Sequence, residues 1–274
     1  MTRRLNFWLF SVLLVFAIPY YWFLADAGAG PWTADARARP ITMAELRALA
    51  GSIDGQRPVE LRVETVGIRQ TSRNMLIAGG GMKAIPNAVR AYELIVPGSG
   101  PVVIDAGASA KVAKQQEFDY FDTAAQARIA SALSKAAHAI LLADRPAHNG
   151  GFHAGTLQAG AERPSTHAAP YALAPGVVVI PATGLAPGSN MVYARLADDR
   201  EFLFTGDVAK ITSNWLDLNL PARIAMRNEP ASFRIENLSW LMTINALHRS
   251  APQMMIVTGH EQAAIPFSAG TFSD

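Results

Sequence analysis

Residues 202–208, FLFTGDV, and residues 255–260, MIVTGH, share one construction: a short apolar run, then threonine, glycine and a single polar residue, Asp207 or His260. A third stretch, VVIDAG at 102–107, closes on Asp105 with a glycine two residues further on. Each apolar run reads as a buried strand and each glycine as the place where the backbone turns, so the polar side chain emerges where the strand stops. Site residues of α/β proteins commonly sit on such loops.

The rest of the chain fits strands of this kind. VELRVETVGI (59–68) alternates as a half-buried strand does, and RAYELIVP and GPVVIDAG read as two strands joined by a turn at residues 97–100. Thr42 with Glu45 makes a capping box before a short helix ended by Gly51. FDTAAQARIASALSKAAH has helical spacing, and AILL (139–142) is a short strand. The second half repeats the scheme, with strands GVVVIPA, NMVYARLA, EFLFTGDV and MMIVTGH and a helix SFRIENLSWLMTINALHR. Strand runs each followed by helices predict a layered α/β protein with its sheets packed in the middle. No repeat of 20–50 residues marks a solenoid.

Between the two halves lies LLADRPAHNGG (141–151), followed later by TGLAPGS (183–189). With the strand ends, these pieces resemble, in order and spacing, the metallo-β-lactamase superfamily. That family carries a strand ending in D-x-G, an H-x-H-x-D-H loop before Gly-Gly, a G-H-T-P-G-S segment, a G-D strand end and a terminal G-H. The resemblance spans about residues 58–265 and implies an αββα sandwich. Laid without gaps, Ala143 and Arg145 fall on the first two loop histidines, Ala147 on the loop aspartate and His148 on the last histidine. Gly184, Pro187, Gly188 and Ser189 match the next segment, where Leu185 replaces its histidine.

By that resemblance the first of the family's two ions has lost its ligands, at Ala143, Arg145 and Leu185. The second keeps His148, Asp207 and His260 and lacks the carboxylate at Ala147. Two histidines and a carboxylate can hold a catalytic zinc if they converge. Arg145 is expected beside the vacated position, where its charge offsets Asp207 or holds an anionic group, so Asp207 and Arg145 are the candidate catalytic residues. His148 can equally be a surface-turn residue and His260 a satisfied strand-end histidine. His153 and His167 fall in loops; His138 and His248 are expected at helix ends. Ser189 lacks a nucleophile elbow and reads as a turn residue. Trp215 and Met226 are candidates to line a pocket.

Composition sets the outer bounds. The 274 residues are half apolar and 17% charged, which excludes a disordered chain. A net charge of +2 without basic blocks argues against nucleic acid, and the absence of cysteine removes disulfides, thiolate metal sites and cysteine nucleophiles. The amino terminus sets Arg3 and Arg4 before the apolar run Leu5–Leu24, with Trp8, Tyr20, Tyr21 and Trp22 near its ends. That predicts a single-pass anchor with the domain on the periplasmic or extracellular side; a signal peptide cleaved near Ala25-Asp26-Ala27 is the competing reading. The expected organisation is an anchor at 1–24, a linker at 25–40 and the sandwich at 41–274.

Two functions remain open. One is a membrane-anchored pseudoenzyme that binds or scaffolds an unknown small molecule or protein and holds either no metal or one weakly bound zinc. The other is a single-metal hydrolase of esters, lactones or related substrates built on His148, Asp207 and His260.

Overall fold

The computed structural model describes residues 2–27, 33–152, 167–186 and 188–272. His153 and Pro187 lie outside them. Two five-stranded sheets face each other. One has the order β4-β1-β2-β3-β5 and the other β10-β9-β8-β7-β6. The first comprises β1 (Glu60–Ser72), β2 (Ala84–Ile95), β3 (Val102–Ile104), β4 (Tyr120–Phe121) and β5 (His138–Ile140). The second comprises β6 (Tyr171–Ala174), β7 (Val177–Pro181), β8 (Asn190–Arg195), β9 (Glu201–Gly206) and β10 (Met255–Thr258). β3–β5 and β9–β10 pair parallel, and the remaining pairs are antiparallel.

Three apolar layers hold the sandwich. Between the sheets, Tyr92, Leu94 and Ile104 meet Val179, Phe202 and Phe204, all but withdrawn from water. Helix α4 (Thr123–Lys135), capped by the Asp122 carboxylate on the amides of Ala124 and Ala125, lays Ile129 and Leu133 on the outside of the first sheet. On the second sheet lie α2 (Met43–Ala50), whose start Thr42 caps through the Glu45 amide, and α7 (Phe233–Ser250), with Leu46, Leu241 and Ile244 inward. The expected αββα architecture is therefore present. Strands buried on both faces explain their near-continuous apolar runs.

Several local expectations change. His138 opens β5 instead of closing α4, because the Ala137 amide donates to the Pro101 carbonyl and draws the chain into the sheet. Trp215 turns into the core, edge-on to His248, which sits in the last turn of α7 as expected. Residues 33–39, within the expected linker, lie along α7. The Arg37 and Arg39 amides donate to the Ser239 and Thr243 hydroxyls, and Ala36 is buried. α1 (Thr2–Tyr20) runs on through a π-turn, Tyr21–Ala25; the helix Arg3–Ala25 is long and apolar enough to cross a membrane and is not buried in the body.

Gly259 shows why the strand-end motifs carry glycine. A Cβ there would stand 2.3 Å from the Gly206 carbonyl oxygen, so only glycine lets the ends of β9 and β10 come close enough to bring Asp207 beside His260. Gly259→Ala is expected to cost about 2 kcal/mol or more, in the range of overpacked cores, read as a lowered midpoint in chemical denaturation. An unchanged midpoint would show that the strand ends separate freely.

Candidate metal centre at the strand ends

Asp105 follows β3 in the left-handed region, φ 65°, an uncommon conformation for a residue with a side chain. It is buried, and its carboxylate accepts the Leu142 amide at 2.8 Å and His148 Nδ1 at 2.7 Å. The loop it grips carries Ala143, Arg145, Ala147 and His148. Pro146 starts a one-turn helix, α5 (Pro146–Asn149), its fixed φ suited to the first helical position. The turn points His148 inward, 2% exposed, which rules out the surface-turn reading. Ala147 packs into the core beneath α4, and Gly151 is required because a Cβ would strike the Ala106 carbonyl at 2.0 Å.

His148, Asp207 and His260 converge, with one donor atom from each within 4.8 Å of the others. Asp207 Oδ1 lies 3.0 Å from His260 Nε2 and 3.6 Å from His148 Nε2. Both histidines are oriented from behind. His148 Nδ1 donates to Asp105, and His260 Nδ1 faces the Ala88 carbonyl at 3.0 Å. With protons on both Nδ1 atoms, each neutral imidazole turns a lone pair toward the same carboxylate oxygen. His148 Nε2 is buried with no hydrogen-bond partner. Lone pairs facing one another need a positive charge between them, so this donor set fits one divalent metal, and a proton can serve in its place.

Cations also approach both oxygens of Asp207. Arg145 Nε lies 3.3 Å from Oδ2 while its Nη2 bonds Glu229, and Lys210 Nζ stands 3.5 Å from Oδ1. Ala143 is buried and Leu185 is packed against the apolar core, so neither offers a ligand. Burial opposes charge on Asp207, but Lys210 and the two histidines outweigh it and hold its carboxyl well below the usual range. Burial likewise opposes a proton on His148, yet the Asp105 and Asp207 carboxylates raise its pKa to about 10. His260 is displaced downward, burial prevailing over Asp207.

Glu229, Lys210 and Arg69 were not legible as site residues. Glu229 and Lys210 sit in loops without a motif, and Arg69 lies within the alternation of β1. Met226 lines the apolar side of the cleft, as expected, together with Leu185 and Phe233, whereas Trp215 does not. Ser189, whose amide donates to the Ala186 carbonyl, borders the same cleft.

Two mixed sheets lie under helices, with titratable side chains gathered where strands end. No known family model matches the sequence, and no curated protein sequence does. Solved structures do match. A quorum-quenching N-acyl homoserine lactone lactonase is 14% identical with a TM-score of 0.61, over 76% of this chain and 95% of its own. An N-acyl homoserine lactone hydrolase with N-hexanoyl-L-homoserine bound at its catalytic metal centre is 13% identical, TM-score 0.60, over 76% and 95%. A probable metal-dependent hydrolase from Staphylococcus aureus is 10% identical, TM-score 0.55, over 75% and 91%. The chain has the metallo-β-lactamase fold.

In metal-free protein the charge on His148 contributes stability that is complete below its ordinary pKa of 6.5 and is lost as pH climbs through about 10. Denaturation midpoints with chelator present should therefore fall between pH 7 and 10. Asp105→Asn should lower stability at pH 7 by about 3 kcal/mol, as expected for a broken buried pair, and flatten that slope. A variant with the parent's slope would show that Asp105 does not set the charge of His148.

Proposed function

We propose that this chain is a membrane-anchored protein of the metallo-β-lactamase fold that binds a ligand in its cleft and lacks two-metal hydrolysis. The carrying observation is Arg145. Asp207 stands where the family resemblance has the carboxylate that bridges two ions, and its Oδ1 faces the histidines while its Oδ2 faces the guanidinium. Arg145 is pinned from behind by Glu229, so a fixed unit charge stands on the side expected for the first ion. Guanidinium holds anions by paired hydrogen bonds but offers no coordination site at which water could be acidified.

A second reading, a single-metal hydrolase of esters or lactones, is favoured by the convergent Nε2 atoms. A divalent ion held by His148, Asp207 and His260 would supply Lewis acidity and an activated water there. Around it the chain would supply orientation, with Asp105 and the Ala88 carbonyl fixing the two imidazoles and Arg145 or Lys210 steering an anionic group. The missing carboxylate at Ala147 and the two nearby cations work against tight binding.

Zinc titration of the metal-free protein is expected to give at most one weak equivalent, tighter at higher pH because the metal competes with the proton on His148. His260→Ala should abolish it, and Ala147→Asp with Arg145→His should strengthen it. Two tight equivalents would overturn the ligand-binding reading, and a single tight one that supports ester or lactone hydrolysis would establish the second.

For the anchor, the support is an apolar helix unburied by the body, with its end fastened to the domain just where cleavage would fall. The Asp26 carboxylate pairs with Arg223 at 2.6 Å, and Trp22 lies under the same guanidinium. We expect the full chain, with α1 retained, to stay in the membrane pellet after alkaline carbonate washing. Its release would sink the anchor reading.

A further inference from the structure

A cleft of about 280 Å³ is bordered by Arg69, Gln116, Pro146 and His260. Arg145, Lys210 and Asp207 line it too, so three cations face it against one carboxylate. Arg145 and Lys210 are both engaged with that carboxylate, and Arg145 also bonds Glu229, which stands outside the lining. With both carboxylates counted, one positive charge of this group has no counterpart. It belongs to Arg69.

β1 carries Arg69, and Gln116 closes the helix α3 (Ala110–Gln115) beside it. No carboxylate lies within 4 Å of Arg69 among the described residues; its Nη1 reaches the Gln116 side-chain oxygen at 3.2 Å, and its Nε is buried without a hydrogen-bond partner. The chain thus sets an amide where a carboxylate would complete an ion pair. Burial pushes the Arg69 pKa down, and the more distant Asp207 offsets this only in part. A half-buried guanidinium without an anion beside it is costly, and a charge-assisted hydrogen bond to an oxyanion relieves that cost. Donors are at hand for one. Arg69 Nη2 and the side-chain NH2 of Gln116 make no hydrogen bond among the described residues, and Lys210 borders the same space. The room is about an order of magnitude more than one water needs, enough for an oxyanion with a small body.

We propose that this cleft binds the oxyanion group of a small water-soluble molecule, a carboxylate or a phosphate, on Arg69 and the Gln116 amide with Lys210 beside it. This site gives the chemistry of the ligand in the ligand-binding reading above and rests on that reading. The two fail differently. Failure of the ligand-binding reading shows in the zinc titration as two tight equivalents, whereas the oxyanion is tested with metal removed, where no ion can carry it.

The full chain in non-ionic detergent, stripped of metal on a chelating resin because a soluble chelator is itself a polycarboxylate, is titrated by calorimetry in a chloride background of constant ionic strength. Acetate, inorganic phosphate and acetamide are the probes. At least one of the two oxyanions should bind as a single saturable equivalent, and which one binds tells carboxylate from phosphate. Acetamide, which has no charge, should bind at least tenfold more weakly, about the loss of one charge-assisted hydrogen bond. Arg69→Gln should weaken oxyanion binding by a similar factor, and Arg69→Lys should restore part of it. Gln116→Glu, which gives Arg69 a carboxylate of its own and removes no cation, should weaken it as well, with far-ultraviolet circular dichroism unchanged. No saturable binding of either oxyanion, equal binding of acetamide, or the parent's affinity in Arg69→Gln or in Gln116→Glu would each overturn the proposal.

Discussion

The carboxylate of Asp105 accepts two hydrogen bonds, from the Leu142 amide 37 residues on and from His148 43 residues on. Backbone bonds run beside it, from the Ala106 amide to the His148 carbonyl and from the Asp105 amide to the Ile140 carbonyl. The left-handed φ of Asp105 is what aims that carboxylate at both donors; the conformation costs free energy, and the two buried hydrogen bonds offset it. From this grip the rest follows in sequence. Leu142 is held, so its carbonyl can accept the Asn190 amide at the start of β8, and the side chain of Asn190 bonds the Leu141 carbonyl. The two sheets are thereby stitched at the edge where the site lies. His148 is held as well, so its other nitrogen has one direction to face.

That direction makes the charge of the centre a matter of competition. Two imidazole lone pairs and a carboxylate oxygen can share a divalent ion, or a proton on His148 can take its place. The proton is favoured by what already surrounds Asp207. Two unit charges 4 Å apart interact by about 4 kcal/mol at the effective dielectric of a half-buried site, and a divalent ion doubles the term. Arg145 and Lys210 both stand within 4 Å of Asp207, so an incoming ion meets their repulsion while a proton meets half of it. The geometry fits a divalent ion, and the charges of Arg145 and Lys210 oppose one.

The fold was legible because its strands are buried on both faces and its turns demand glycine. Phe202 to Phe204 cannot be placed elsewhere, and Gly259 has no substitute beside Gly206. The site was half legible for a related reason: Asp105, Asp207 and His260 terminate strands, and a strand's end is a sequence signal. His148 was visible only through the family pattern, since a lone histidine before Asn-Gly-Gly carries no periodic mark of burial. Glu229, Lys210 and Arg69 act through distances between segments far apart in the chain, about which local pattern says nothing. β4 escaped notice because it is two residues long, and β6, Tyr-Ala-Leu-Ala, because it carries no β-branched residue to mark it as a strand.

Arg145 also bears on how the carboxylates of this site are held without an ion between them. Removing a metal from between carboxylates leaves buried negative charge uncompensated, a penalty of several kcal/mol. A guanidinium paired at once with Asp207 and Glu229, together with Lys210 beside Asp207, balances the two carboxylates with the chain's own atoms. The substitution is asymmetric in its chemical consequence. An ion can exchange ligands and admit water, whereas a tethered guanidinium keeps its partners and presents only donors. The Oδ2 side of Asp207 thus faces N–H donors of Arg145, which bind anions by paired hydrogen bonds.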